Sequence, residues 1–506
     1  MRLIKYILAI TFSFVLYSCD DLLVQEPQNQ IATENAYTTE DDALRATSAV
    51  YSVLRATNWC CQGNIGTNTG GGYNYWIFQN VNTDDAWKGG ESGSDQVYAQ
   101  QIAHYTVSAG NLAVDDAWDI LYIGVRRANL VLDNIPDIEM DPSLKERLLA
   151  EAKFLRGYFY FLLVQTFGDV PLILDTEQET YEVIRTPKAD VINQIIADWE
   201  DAETILPSRT SMSASDKGRA TRGAAQAYLG KLYMFLNDFQ NAELKFSEVI
   251  NSGDYELDSS YENLFTNAGE NSAEHIFQIH YHYDPPNTHG NPMGTIMGSR
   301  SRNGWGFNLP TQDFVDAFEE GDPRMSYTVY WQGKEMPDGE IADVGNAVGW
   351  DGYMNQKAYM RAPEERPGNS LTSRDQPMMR LGKVMLWYAE AANENGNTSA
   401  ALSALNEIRQ RAREGNNAIL PNVTETDQGV LRELIWQEQR VEYGQEFERF
   451  FDLVRTGRAE EVLRAFSQKT GDPQGANFTS GIHEIFPIPP SEITLSEGLL
   501  TQNPGY

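Results

Sequence analysis

The chain has 506 residues, 41% hydrophobic and 11% aromatic, with 72 Asp and Glu against 39 Lys and Arg for a formal charge of −33. That field excludes nucleic acid as a partner, since phosphate binding relies on Lys and Arg displacing counterions; a polyanionic ligand is opposed less firmly, because a basic cleft can persist locally. The 10 Trp and 25 Tyr exclude a disordered acidic chain, and the length allows about three units of ~150 residues.

The first residues read as an address. Arg2 and Lys5 precede an apolar run over 6–17 that is too short to span ~30 Å of hydrocarbon as a helix. Leu16-Tyr17-Ser18-Cys19 follows and resembles the lipobox of bacterial lipoproteins, with the cysteine where cleavage falls. A secretory signal with a chance cysteine has the same outline. The resemblance implies that 1–18 is a signal peptide, that Cys19 is the lipidation site, and that 19–33 is a tether. Asp20 and Asp21 resemble the acidic signal that sends such proteins to the cell surface in Bacteroidetes-type bacteria. No other stretch reaches ~18 apolar residues, so no membrane span is expected.

Beyond the tether, helical periodicity is expected over about 34–58, 113–250 and 377–470. Residues 148–164 are apolar over a wide face, as in a helix buried on most sides, and the run stops at Gly168 with Pro171 beyond. Ile192, Ile195, Ile196 and Trp199 form one stripe on the next helix. "TRGAAQAYLGKLYMFLNDFQNAELKFSEVI" (221–250) places Leu229, Gly230, Tyr233, Ala242 and Phe246 at the offsets of a tetratricopeptide repeat. Gly230 and Ala242 let two antiparallel helices approach, and Tyr233 and Phe246 fill the space between them. Ala389, Gly396, Ala401 and Leu405 repeat the scheme over 378–413, and 115–167 offers a third pair. One pair alone leaves an apolar face open, so neighbours must stack. The fold class expected is mainly α, a tetratricopeptide-like helical-repeat frame with long loop-rich insertions carrying short strands.

The insertions cover about 59–112 and 251–376. The first is rich in Gly, Asn, Tyr, Trp and Asp; the second in Gly, Pro, Asn and scattered aromatics, with strand-like runs such as "HIFQIHYHY". Loops of this length in a compact domain are usually functional. Cys60 and Cys61 are adjacent, and Cα atoms across a trans peptide lie ~3.8 Å apart, below the usual disulfide range. A strained bond and two free thiols both remain open, and no nearby His or family signature marks either as catalytic.

At this point the motifs resemble the SusD/RagB family of outer-membrane nutrient-uptake lipoproteins. "ENAYTTEDDALRATSAVYSVLR" (34–55), "RANLVLDNI", "AEAKFLRGYFYFLLVQTFGDVPLIL" (150–174), "EQRVEYGQEFERFFDLVRTG" and the ending "IFPIPPSEITLSEGLLTQNPGY" follow the family's order. Gln439 and Phe447 stand where Glu and Gly are commoner, and Ser496-Glu497 where the family has Asn-Pro; these departures fall in packing turns rather than on the inferred binding surface. The resemblance spans the mature chain and treats 34–506 as a single domain. It implies four tetratricopeptide-like units and a loop-rich face that binds oligosaccharides without catalysis. It also implies an outer-membrane location facing the cell exterior, through the acyl anchor, and a partner: a TonB-dependent transporter of SusC type, over which the protein sits as a lid.

A sugar offers an apolar C–H face to flat aromatic rings and a rim of hydroxyls to Asn, Asp, Gln and Arg. In the first insertion, Tyr73, Tyr75, Trp76 and Trp87 are candidate platforms, and Asn74, Asn82, Asp84 and Asp85 candidate rim partners, with glycines allowing close backbone approach. Tyr73-Asn74-Tyr75 alternates, so at least one tyrosine of a strand there packs inward, and the Asp84-Asp85 pair reads equally as a structural cap. Trp87, between charge and glycine, is expected to be exposed. In the second insertion the candidates are Tyr283, Arg300, Trp305, Trp331 and Trp350, with Arg302 close to Trp305 in sequence. Trp118, Trp199, Trp387 and Trp436 lie on helices and read as core.

His280, His282 and His289 meet no conventional zinc spacing. No cofactor is expected; Asp-rich loops leave room for a structural calcium, though without EF-hand spacing. The competing readings are a secreted glycoside hydrolase with two carboxylates, and an uptake lid or scaffold for a non-sugar nutrient such as peptide. No nucleophile elbow, HExxH helix or phosphate-binding glycine loop is present.

Overall fold

The computed structural model describes residues 37–56, 73–177, 183–284, 287–345, 351–361, 365 and 371–506. Cys19, Cys60, Cys61 and Trp350 lie outside these, and so do the expected signal peptide, anchor and tether.

Several frame helices begin where the sequence supplies a side-chain oxygen at the first turn. Helix α1 (Glu40–Ala56) starts where Asp42 accepts from the backbone and hydroxyl of Thr39 at 2.9 and 2.7 Å. Asn111 caps α2 (Leu112–Asn134). Asp141 caps α3 (Pro142–Phe167), which carries proline in its first turn and is enclosed on almost every side from Leu148 onward. Further along the frame lie α4 (Lys188–Ile205), α5 (Arg222–Phe235), α6 (Phe239–Ile250), α7 (Leu381–Glu394), α8 (Thr398–Ala412), α9 (Gln428–Tyr443), α10 (Arg449–Arg455) and α11 (Ala459–Thr470).

Each helix from α2 to α6 packs on its successor, and α7 also carries α8 and α9. Because α6 rests on α7, the long insertion between them leaves the stack and returns to the same place. The α5–α6 pair approaches as its small residues require: a Cβ at Gly230 would lie 2.5 Å from the Phe246 ring. Ala242, Phe246, Ala389, Ala401 and Leu405 are fully buried. Phe246 also stacks on Trp387 of α7, ring centroids 6.1 Å apart, while Tyr233 stays partly exposed.

Among the described residues the strands make two-stranded antiparallel sheets: β1 (Ala86–Gly89) with β5 (Phe307–Pro310), β2 (His275–Ile279) with β8 (Gln376–Arg380), β3 (His282–Asp284) with β4 (Asn287–His289), and β6 (Val329–Trp331) with β7 (Tyr353–Asn355). The β1–β5 pair, with Trp87 opposite Leu309, joins the two insertions.

Buried charge fixes both insertions to the frame, and α9 with the turn after it is the hub. Arg380, fully buried, donates to Glu274 at 2.9 Å, Glu442 at 2.7 Å and Glu446 at 2.8 Å. Arg324 reaches Asp322, Glu438 and Glu442, and Lys357 reaches Glu446 at 2.7 Å. Buried charges are tolerable only when paired with good geometry and further hydrogen bonds, a condition met here by shared carboxylates. Burial alone would raise Glu446; Arg380, Lys357 and Lys383 together overcome it and hold the group at about 2. Phe447 adopts φ 64°, the left-handed region in which glycine is unstrained, and its ring stacks on Tyr75 at 6.3 Å.

Candidate functional site

Among the described residues, the first insertion does not display its candidate rings. Tyr73, Trp76 and Asn82 are fully buried, Tyr75, Asp84 and Asp85 are 2% exposed, and Trp87 is 6% exposed. Instead of a strand, Asn74 (φ 53°) opens a short helix over Tyr75–Gln79, and both tyrosines are buried. The Tyr73 hydroxyl bonds Thr166 at 2.9 Å, and burial pushes it up to about 12. Tyr75 meets the Tyr158 hydroxyl, and Trp76 lies against Phe307 with ring centroids 5.4 Å apart. The side-chain amide of Asn82 donates to the Phe78 carbonyl, 2.9 Å away. These positions are corrected from platforms and rim partners to core.

Asp84 and Asp85 are structural. Arg449 grips Asp84 with two bonds of 2.9 and 2.8 Å, and Arg440 reaches Asp85 at 2.8 Å and Asp84 at 2.8 Å. Burial opposes both charges. At Asp84 the two arginines outweigh it and hold the carboxyl well below its ordinary range; at Asp85 burial wins, with the Asp84 charge adding to the rise. Trp87, expected exposed, is held in a satellite core with Leu309, Tyr330, Met354 and Phe466. Its ring lies 5.0 Å from that of Phe466, and its indole N–H donates to Asp351 at 2.7 Å.

The second insertion does reach the surface. Trp305 is 38% exposed, and it is the one exposed aromatic side chain among the described residues. It sits in the 298–306 loop, anchored by its backbone N–H to the Thr295 carbonyl at 2.7 Å. Turns hold that loop from two sides. On one, Arg300 pairs with Glu91 at 2.8 Å and Asp95 at 3.1 Å, both from the turn after β1. On the other, Arg302 pairs with Glu340 at 3.0 Å and lies over the Tyr359 ring at 4.2 Å. The Ser299 and Ser301 hydroxyls both donate to the Asp343 carbonyl, at 2.6 and 2.5 Å.

Gly89 of the first insertion brings backbone to backbone. Gly89 has φ 77°, and a Cβ there would lie 2.1 Å from the Gly306 carbonyl oxygen. Any side chain at Gly89 would therefore push the Trp305 loop away.

The remaining candidates are dispersed. Trp331 is half-buried on β6, with the Lys334 ammonium 5.0 Å from its ring centre and Tyr353 opposite it in register. Tyr283 is half-buried on β3, its N–H bonded to Ser373 at 3.0 Å. His280 lies in the break after β2 and His282 begins β3, and His280 pairs with Asp375 at 2.6 Å. Sequence reasoning missed Glu91, Asp95 and Glu340 because their partners lie far along the chain, as with Glu91 and Arg300, which are 209 residues apart.

Comparison with known proteins fits this architecture. Residues 273–506 match the family model described as "SusD family", and residues 63–234 match one described as "Starch-binding associating with outer membrane". SusD-like protein P2 of Formosa agariphila is 29% identical over 449 residues, covering 80% of this chain and 83% of its own length. A solved structure of a laminarin binding SusD-like protein aligns with a TM-score of 0.79 at 29% identity, over 93% of this chain and 100% of its own. Surface glycan-binding protein A from Bacteroides thetaiotaomicron, in complex with laminarihexaose, shares the fold with a TM-score of 0.77 at 22% identity, over 92% of this chain and 100% of its own. Among the described residues no helix is long and apolar enough to cross a membrane.

Proposed function

The chain belongs to the SusD/RagB family, and from that premise we propose that it captures oligosaccharides at the cell exterior and passes them, without catalysis, to a TonB-dependent outer-membrane transporter of SusC type. The observation that carries this reading is the exposed Trp305, standing on a loop braced from both sides. A flat ring held this way matches the apolar face of a sugar at low rotamer cost, and the Arg300 and Arg302 pairs beside it supply hydrogen-bonding groups for the hydroxyl rim.

The same pairs favour a neutral sugar. Both arginines are already matched to carboxylates, so the rim presents no uncompensated positive charge to attract an anion. They also favour capture over hydrolysis, because Glu91 and Asp95 are engaged by Arg300 rather than poised across an open gap. The laminarin-binding relative at 29% identity supports a glycan as ligand.

Affinity electrophoresis against laminarin, starch and a panel of other polysaccharides tests the proposal. The wild-type chain is expected to be retarded by at least one of them with no product released, and Trp305→Ala to lose about tenfold in affinity, about 1.4 kcal/mol. Release of shorter sugars, or no retardation across the panel, contradicts it.

A further inference from the structure

A cavity of about 90 Å³ lies away from the Trp305 loop, where the turn over Arg209–Ser211, the start of α5 and strand β2 meet. Its wall includes Arg209, Lys217, Arg219, His275, Gln278 and His280. This is a concentration of basic groups in a chain of charge −33. Arg219 is matched by Glu151 at 2.7 Å, and His280 by Asp375 at 2.6 Å. Arg209 is different. Its guanidinium donates to the Asn271 and Ser272 carbonyls at 2.7 and 3.0 Å and, among the described residues, meets no carboxylate. Lys217 is exposed and likewise has no acidic partner among the described residues.

A second, independent feature sits in the same wall. His275 is 5% exposed, and neither ring nitrogen has a hydrogen-bond partner among the described residues. Buried polar groups are seldom left unpaired, since each costs about 1–3 kcal/mol. Burial, with Arg380 adding to it, drops this imidazole to about 4, so near neutrality it is uncharged and keeps one N–H to donate. Thr221, whose side chain accepts from Ala224 N–H at the start of α5, closes the wall with the positive end of a 14-residue helix. The space admits several waters, each needing ~10–15 Å³ by this measure, and is enough for one oxyanion.

We propose that this cavity binds a small oxyanion, a sulfate or carboxylate group, between the unmatched cations Arg209 and Lys217. The group arrives either as a free ion or as the substituent of an acidic sugar, and in both cases the site is separate from the Trp305 platform.

Titration calorimetry on the full-length chain tests this, with sodium sulfate, sodium glucuronate and, at matched ionic strength, sodium chloride as the blank. Saturable heat with sulfate alone supports a free-ion site; heat with glucuronate, alone or as well, supports a sugar substituent. Lys217→Gln, an exposed change that leaves folding intact, is expected to weaken binding about fivefold, and Arg209→Gln more. Trp305→Ala is expected to leave it unchanged, so failure of the glycan reading would not register here. No saturable heat with either anion, or equal affinity in wild type and Lys217→Gln, overturns the proposal.

Discussion

Residues 73–90 and residues 298–306 both mix aromatic residues with Gly and Asn. In the first, Tyr73, Tyr75, Trp76 and Trp87 are all enclosed; in the second, Trp305 stands exposed. The difference comes from what each segment lies against. The first is trapped between α3, whose Tyr158 and Thr166 take its tyrosine hydroxyls, and the turn after α9, whose Phe447 stacks on Tyr75. In the second, Ser299, Gly304 and Gly306 are buried while Trp305 is left exposed, on a loop held by ion pairs. Aromatic and glycine-rich composition therefore marks an insertion without telling whether its rings face a ligand or the core; long-range partners decide that.

Single changes break the comparison at different strengths. The largest effect is expected from Asp84→Ala, which takes from Arg449 its two-bond partner and leaves it only Asp85 at 3.8 Å; removing one partner of a buried pair costs about 3–5 kcal/mol, readable as a lowered urea midpoint. Trp76→Ala, expected from composition alone to touch only ligand, should instead cost about 3–5 kcal/mol by opening a cavity, with the m-value unchanged in the same unfolding experiment. Trp87→Phe keeps much of the satellite-core packing but removes the hydrogen bond to Asp351, so about 1 kcal/mol is expected. Trp305→Ala lies at the other end, within about 0.5 kcal/mol of wild type, although it is the change that should cost glycan affinity. A large fall in melting temperature for Trp305→Ala would erase the distinction between the two segments.

Acid sharpens the same contrast through the charges that pin the second insertion. Glu446 is held at about 2 in the folded chain, against an ordinary 4.5. A depressed carboxylate contributes stability above its unfolded value and loses it as pH falls toward the folded one. Thermal melting should therefore weaken progressively between about pH 4.5 and pH 2. Glu446→Gln should flatten that slope, while being less stable than wild type at neutral pH.

Much of the frame was legible. The Gly230–Phe246 contact and the enclosed run after Leu148 follow from local spacing, because helix packing repeats within a few residues. Trp118, Trp199 and Trp387 are core as their helical settings imply, while Trp436 is only partly buried and lies under Arg458 at 3.8 Å. The site was less legible. Asp84 and Arg449 are 365 residues apart, and no local pattern reveals that an acidic pair in one insertion answers two arginines around α9. The "EQRVEYGQEFERFF" stretch was recognisable as a motif, yet only the structure shows it to be the charged clamp joining both insertions to the frame. Trp305 and Arg300 were found because a ring and a cation lay five residues apart; the acids that brace them were not.

The most direct test of the account is a crystal structure of this chain with a bound oligosaccharide selected by the electrophoresis panel. A sugar ring lying flat on Trp305, with its hydroxyls toward Arg300 or Arg302, is the result expected. A sugar seated elsewhere on the molecule, with the Trp305 ring untouched, would contradict it.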